Sequence, residues 1–252
     1  WHRKEVIGDI VKEIKKRVLS RSILEMYDIY GMLSDNLLEK NIVVNFQDPE
    51  FQDIIKEKNW SGHIRDVKSD FLMVVDANMA AFKTDAVISR NIEYELTETI
   101  NGVFADLKIH YSHNGNFDWR TTRYRTYTRI YVPEGAELIE TQKYDNKIDV
   151  SLEHGKTVFG TFISIEPQKV GTLHFYYKLP QGVEDDIENN EYELVIQKQS
   201  GNDTESLEVD LEFLNNVTAY SPTGFYSVKG VRDIKWSTDL RVDKKFSVEL
   251  GD

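Results

Sequence analysis

The hydrophobic period of this chain changes once, and that change limits what it can fold into. Through about residue 60 apolar residues recur three or four apart, as on one face of a helix. From Val87 onward they recur every second residue, as on one face of a strand. The stretch between, residues 71–94 (FLMVVDANMAAFKTDAVISRNIEY), begins as an apolar run, breaks at Asp76-Ala77-Asn78 and resumes as an alternating strand. The pattern predicts an α+β protein with an N-terminal helical α/β portion, 1–86, the end of a larger domain. An antiparallel β-sandwich region follows over 87–182, with further strands, as a second lobe or an extension, over 183–252.

In the helical half, Ile7, Ile10, Val11, Ile14 and Val18 form one stripe. Lys12, Lys15, Lys16 and Arg17 cover much of the rest, as a solvated face or a contact for anionic lipid or polymer. A second helix starts at Ser22, where Ser22 and Glu25 have the spacing of a capping box, each able to satisfy the other's free amide. Asp48-Pro49-Glu50 opens a third: Asp48 caps, Pro49 loses no bond in the first turn, and Glu50 suits the positive end. Short strands are predicted over 42–46 and 71–75, the second apolar on both faces and therefore covered on both.

In the β half, Ile92, Tyr94 and Leu96 alternate with Glu93 and Glu95, and Ala105, Leu107, Ile109 and Tyr111 with Asp106, Lys108 and His110. Asn114-Gly115 supplies the positive φ of a tight turn. Strands follow over 124–132, 137–144, 157–165 and 172–179, punctuated by Pro133, Pro167 and Pro180. The acidic residues 183–190 read as a solvated, flexible linker. Alternation then returns at Tyr192–Ile196, at Leu207, Val209, Leu211 and Phe213, at Ile234 and Trp236, and at Phe246, Val248 and Leu250.

A net charge of −12 opposes general affinity for nucleic acid or an anionic membrane surface. The absence of cysteine excludes disulfides, thiolate zinc sites and thiol catalysis. No apolar run reaches the roughly 18–20 residues that span a bilayer. The first residue is Trp1, from which we expect a fragment or processed product whose membrane anchor lies upstream.

One strand carries a candidate ligand surface. In DWRTTRYRTYTRIYV, alternation puts Arg123, Arg125, Tyr127, Arg129 and Tyr131 on one face. Arginine forks and tyrosine rings side by side can grip phosphate, carboxylate or sugar. The plainer reading is a solvated face whose arginines pair across strands with Glu93, Glu95 or Asp106. His110 and His113 fall on opposite strand faces and make a poor metal pair. Asp76, Asn78, Lys83 and Asp85 sit past a strand end and read as turn chemistry. No phosphate loop, nucleophile elbow or zinc helix is present, so no catalytic, cofactor or metal residue is assigned.

Four segments, NFQDPEFQDIIKEKNWSGHI, DFLMVVDANMAAFKTDAVISRNIEY, IHYSHNGNFDWRTTRYRTYTRIYVPEGAEL and KTVFGTFISIEPQKVGTLHFYYKLP, resemble in order the C-terminal half of the bacterial domain of unknown function 4012 family. The likeness runs over roughly residues 4–200. It implies a protein on the extracellular face of the cell envelope, held in the membrane by an N-terminal helix. The family's other half is loosely similar to the LytR-CpsA-Psr enzymes that attach glycopolymers to the wall, but its Gly-rich segment has no counterpart here, so no catalytic residue carries over. The resemblance therefore implies a non-catalytic envelope module, structural or interaction-bearing. The alternatives are a piece of a glycopolymer-handling transferase whose active residues lie upstream, and a surface-polysaccharide binder. Partners would be a cell-wall or surface glycopolymer or another envelope protein.

Overall fold

The computed structural model describes residues 5–141, 147–224 and 227–251. The chain divides into two units, Trp1–Ser61 and Gly62–Asp252. The first carries α1 (Glu5–Leu19), α2 (Ile23–Leu38) and α3 (Pro49–Glu57). Both predicted caps form. The Ser22 amide donates to Glu25 Oε2 at 3.0 Å and the Glu25 amide to Ser22 Oγ at 3.4 Å, while Asp48 Oδ1 accepts from the amides of Glu50 and Phe51. No residue of α1 or α2 is buried, so capping and i,i+4 ion pairs such as Arg17–Glu13 (2.9 Å) support these helices. The strand expected over 42–46 does not form. That segment is irregular, with the Val44 amide donating to the Trp60 carbonyl (2.9 Å), because an apolar run of this length becomes a strand only beside a neighbour to pair with.

The second unit is built of β1 (Asp70–Asn78), β2 (Ile88–Thr99), β3 (Gly102–His113), β4 (Tyr124–Pro133), β5 (Glu137–Thr141), β6 (Asp149–Glu153), β7 (Lys156–Ile165), β8 (Val170–Lys178), α4 (Gln181–Glu188), β9 (Glu191–Gln197), β10 (Ser206–Glu212), β11 (Asn216–Ser221), β12 (Ser227–Lys229), β13 (Asp233–Thr238) and β14 (Lys244–Gly251). The strand predicted over 137–144 is present as β5, and residues 142–144 lie outside the described residues. Two seven-stranded sheets result, in the orders β11-β14-β9-β1-β4-β7-β6 and β12-β13-β10-β2-β3-β8-β5. Their facing sides share one core of alternating residues, including Leu72, Val74, Leu107, Ile109, Phe159, Phe175, Val209, Leu211 and Trp236.

Three expectations are corrected here. The unit boundary falls after Ser61 rather than at 86, because the apolar run 71–75 is the centre of the first sheet, between β9 and β4. The sandwich is not wholly antiparallel: β1 runs parallel to β9, and β2 parallel to β10. A period of two reports which face is buried and says nothing of a neighbour's direction. Strands after residue 183 therefore enter both sheets beside β1 and β2. Residues 183–190 are no linker either: α4 buries Val183 and Ile187, an i,i+4 pair that gives a short acidic helix its apolar side.

The double-sided apolar character of β1 also has a structural cause. Its outward residues Phe71 and Met73 form a second core with Tyr131, Val158 and Val195, packed by Ile64 and Val67. The segment before β1 crosses this face, pinned by the Arg65 amide to Gln197 Oε1 (2.9 Å), Gln197 Nε2 to the His63 carbonyl (2.7 Å) and Lys156 Nζ to the Val67 carbonyl (3.0 Å). Truncating Leu72 on the other face would cost about 2–5 kcal/mol in lost burial and cavity.

Candidate functional site

The inward face of β1 carries a carboxylate at each end. Asp70 and Asp76 are six residues apart, so strand alternation puts both between the sheets with Leu72 and Val74 between them. Asp76 is matched by a cation. Its Oδ2 accepts from Arg90 Nη1 of β2 at 2.8 Å, and its Oδ1 accepts from Tyr111 Oη of β3 (2.8 Å) and Thr128 Oγ1 of β4 (2.7 Å). Both charged side chains are almost wholly buried. The Arg90 Nε donates in turn to Thr204 Oγ1 (3.0 Å), drawing in the loop before β10. Burial first, then the charge of Asp76, raises the Tyr111 hydroxyl well above its ordinary pKa, so it stays a proton donor.

Asp70 is held by tyrosines. Its Oδ2 accepts from Tyr94 Oη of β2 and from Tyr192 Oη of β9, and its Oδ1 accepts from the Phe71 amide (2.7 Å). No ion pair reaches it among the described residues. Burial pushes its pKa up to about 6, against the opposing pull of the two tyrosines and the Phe71 amide. Tyr94 and Tyr192 are raised well above their ordinary values, by burial and by the carboxylate they face. Sequence reading passed over Asp70, Arg90 and both tyrosines. The available signal was the same-face spacing of the two aspartates in DFLMVVDAN, which a view of the run as uniformly apolar conceals.

A polar cavity of about 510 Å³ adjoins the Asp76 end, lined by Asp76, Asp85, Gln199, Asn202, Asp203 and Glu205. The Asp76–Asp85 cluster splits into two roles. Asn78 and Asp85 do build the turn: Asn78 Nδ2 donates to the Ala81 carbonyl (3.2 Å) and to Asp85 Oδ2 (2.8 Å), and its Oδ1 accepts from the Ala80 amide (3.1 Å). Asp76 instead points inward to Arg90. A second groove, about 590 Å³, runs past Lys68, Asp186, Glu191, Glu193 and Glu249; burial and neighbouring carboxylates raise the pKa of Asp186.

The arginine–tyrosine strand is β4: Arg125, Tyr127, Arg129 and Tyr131 alternate with inward Tyr124, Thr126, Thr128 and Ile130, and Arg123 precedes its first residue. The arginines find partners other than the expected Glu93, Glu95 and Asp106, which belong to the second sheet. Arg123 pairs with Glu166, and Arg129 Nη1 lies 3.6 Å from Glu153 Oε2. Tyr131 Oη donates to the same Glu153 (3.0 Å), and its ring is buried in the second core. Tyr127 Oη donates to Asp149 (3.2 Å), its ring tilted 4.8 Å from Phe162 and seated where Gly160 has no side chain. Arg125 lies over the same Phe162 ring at 5.0 Å. Expected cross-strand partners of the second sheet meet each other instead: Lys108 with Glu95 (3.6 Å) and Asp106 (3.4 Å), and His110 with Glu93 (3.2 Å). His113 faces the opposite way, its Nε2 against the Thr122 carbonyl (2.8 Å). No cluster of three or more metal-ligating side chains occurs among the described residues.

No family model matches the chain, and no curated protein matches it. Among solved structures it is similar to a candidate nutrient binding protein of Legionella pneumophila, at 7% identity and a TM-score of 0.45, covering 71% of each chain. It is also similar to native leukotriene A4 hydrolase of Saccharomyces cerevisiae, at 6% identity and a TM-score of 0.40, covering 68% of this chain and 31% of the hydrolase.

Proposed function

We propose that this chain is a non-catalytic module of the extracellular face of a bacterial cell envelope, structural or interaction-bearing, from a parent protein anchored in the membrane. The placing in the envelope rests on the resemblance of four segments to the domain of unknown function 4012 family. The non-catalytic reading rests on one observation: Asp70, the carboxylate whose proton affinity is most altered, is wholly enclosed between the sheets and spends its lone pairs on Tyr94, Tyr192 and the Phe71 amide. Catalytic carboxylates are tuned in a similar way but face a cleft. This one serves as an interior tie between β1, β2 and β9. The test is incubation of the chain with a lipid-linked glycan acceptor and donor. No transfer is expected, and turnover by this chain would overturn the reading.

A second reading, binding of an anionic surface glycopolymer on the outward side of β4, is favoured by Arg125 and Tyr127 converging on Phe162. Arg125 is the arginine of this strand whose guanidinium lies on a ring rather than against a carboxylate, and stacked arginine presents its edge to phosphate or sugar. Retention on immobilised polyglycerol phosphate should fall with Arg125→Ala plus Arg129→Ala. Retention that survives both substitutions sinks this reading.

A further inference from the structure

The turn after β1 and the loop between β3 and β4 lie side by side at one end of the sandwich. The Lys83 amide donates to the Arg120 carbonyl (2.8 Å), the Met79 amide to the Arg125 carbonyl (2.7 Å) and the Thr122 amide to Thr84 Oγ1 (3.2 Å). From these paired loops four large apolar side chains stand in solvent: Met79 at 62% exposure, Phe82 at 61%, Phe117 at 66% and Trp119 at 81%. Exposed apolar residues scattered singly need no explanation, but four on two joined loops do.

The loops carry local hydrogen bonds of their own. Ala81 and Phe82 are both left-handed (φ 62° and 60°), a conformation that costs non-glycine residues energy and here holds the Phe82 ring out. Asp118 Oδ1 accepts from the amides of Arg120 and Thr121, each at 2.7 Å, and Asn78 is spent on the Ala80–Asp85 turn. The outward surface carries these apolar side chains together with exposed Lys83, Arg120 and Arg125 and exposed Asp85 and Asp118, the Arg120 guanidinium 5.4 Å from the Trp119 ring. Aromatic rings beside three cations match the boundary of a bilayer, where rings sit at headgroup level and cations meet lipid phosphates.

We propose that this tip, residues 79–83 and 117–125, docks end-on into an anionic lipid surface, with Phe82, Phe117 and Trp119 inserted at the headgroup boundary. The net charge of −12 opposes contact by the molecule as a whole, and the basic face of α1 is the competing candidate that the experiment separates. The proposal shares Arg125 with the glycopolymer reading but rests on the exposed rings of the paired loops, and soluble polyglycerol phosphate as competitor distinguishes the two.

The experiment is flotation of the full chain with vesicles of phosphatidylcholine plus phosphatidylglycerol, and of phosphatidylcholine alone. Wild type should float with the anionic vesicles, less so as salt rises, and Trp119 emission should shift to the blue. Phe82→Ser, Phe117→Ser and Trp119→Ser should each weaken partition about tenfold, as expected for losing one inserted ring. Circular dichroism checks that each is folded, and Trp119→Ser alone suffices if another of the three is not. Lys15→Glu plus Lys16→Glu on α1 should leave flotation unchanged. Failure of wild type to float, flotation that survives loss of Trp119, or flotation abolished by the α1 pair would overturn the proposal. So would equal binding to soluble polyglycerol phosphate that prevents flotation.

Discussion

The two ends of β1 solve one problem in different ways. At Asp76 a buried carboxylate meets a buried arginine 2.8 Å away, with a tyrosine and a threonine filling the remaining lone pairs. At Asp70 the carboxylate meets two tyrosines and an amide, and no cation. Either arrangement satisfies hydrogen bonds, and both tie β1 to β2 across the sandwich. They differ in where the charge is balanced. At one end an arginine lies against the carboxylate, whereas at the other desolvation opposes ionisation and the proton is held up to about pH 6. The Asp70 end thus responds to mildly acidic pH.

The largest effect should come from splitting the matched pair. Arg90→Met leaves Asp76 buried with two neutral donors, and should destabilise the chain by about 3–5 kcal/mol in urea unfolding at neutral pH. If the loss is below about 1 kcal/mol, the pair is not the anchor that its geometry implies.

The next effect is a pH dependence of opposite sign to that of an ordinary paired carboxylate. Folded Asp70 keeps its proton up to about pH 6 while the unfolded chain releases it near pH 4, so stability from this group is full below about pH 4 and falls as pH rises to 6. The whole span amounts to about 3 kcal/mol, at about 1.36 kcal/mol per pKa unit. Asp70→Asn should remove this slope while retaining a group that the tyrosines can bond.

Smaller effects separate the donors. Tyr192→Phe should cost about 1.5–3 kcal/mol at neutral pH, where it takes a bond from a charged acceptor, and less near pH 4, where Asp70 is neutral. Thr128→Val at the other end should cost about 1 kcal/mol at neutral pH, because Arg90 and Tyr111 still bond Asp76. A Tyr192→Phe cost that does not change between about pH 4 and pH 7 would contradict a titrating Asp70.

Much of this was legible in local chemistry and little in partnership. The caps at Ser22 and Asp48 are decided by residues three apart, and the alternation in β2, β3 and β4 by the residues themselves, so both could be read in advance. Which strand lies beside which is settled across more than a hundred residues. Neither the parallel β1–β9 and β2–β10 pairs nor the meeting of Asp70 with Tyr192 has a local signature. The outward side of β4 was readable as a face, yet its arginines took Glu166 and Glu153 because the expected acids lie in the other sheet. The exposed Phe82, Phe117 and Trp119 were invisible for the opposite reason. An aromatic residue in a loop reads as core until two loops are seen side by side with nothing over them.

The most direct test compares the stability of wild type and Asp70→Asn by urea unfolding from about pH 4 to pH 7. The two curves should diverge as pH rises, the wild type losing about 3 kcal/mol relative to the variant, with the midpoint of divergence between about pH 4 and 6. Curves that run parallel across the range would contradict an enclosed, tyrosine-held carboxylate at this end of β1.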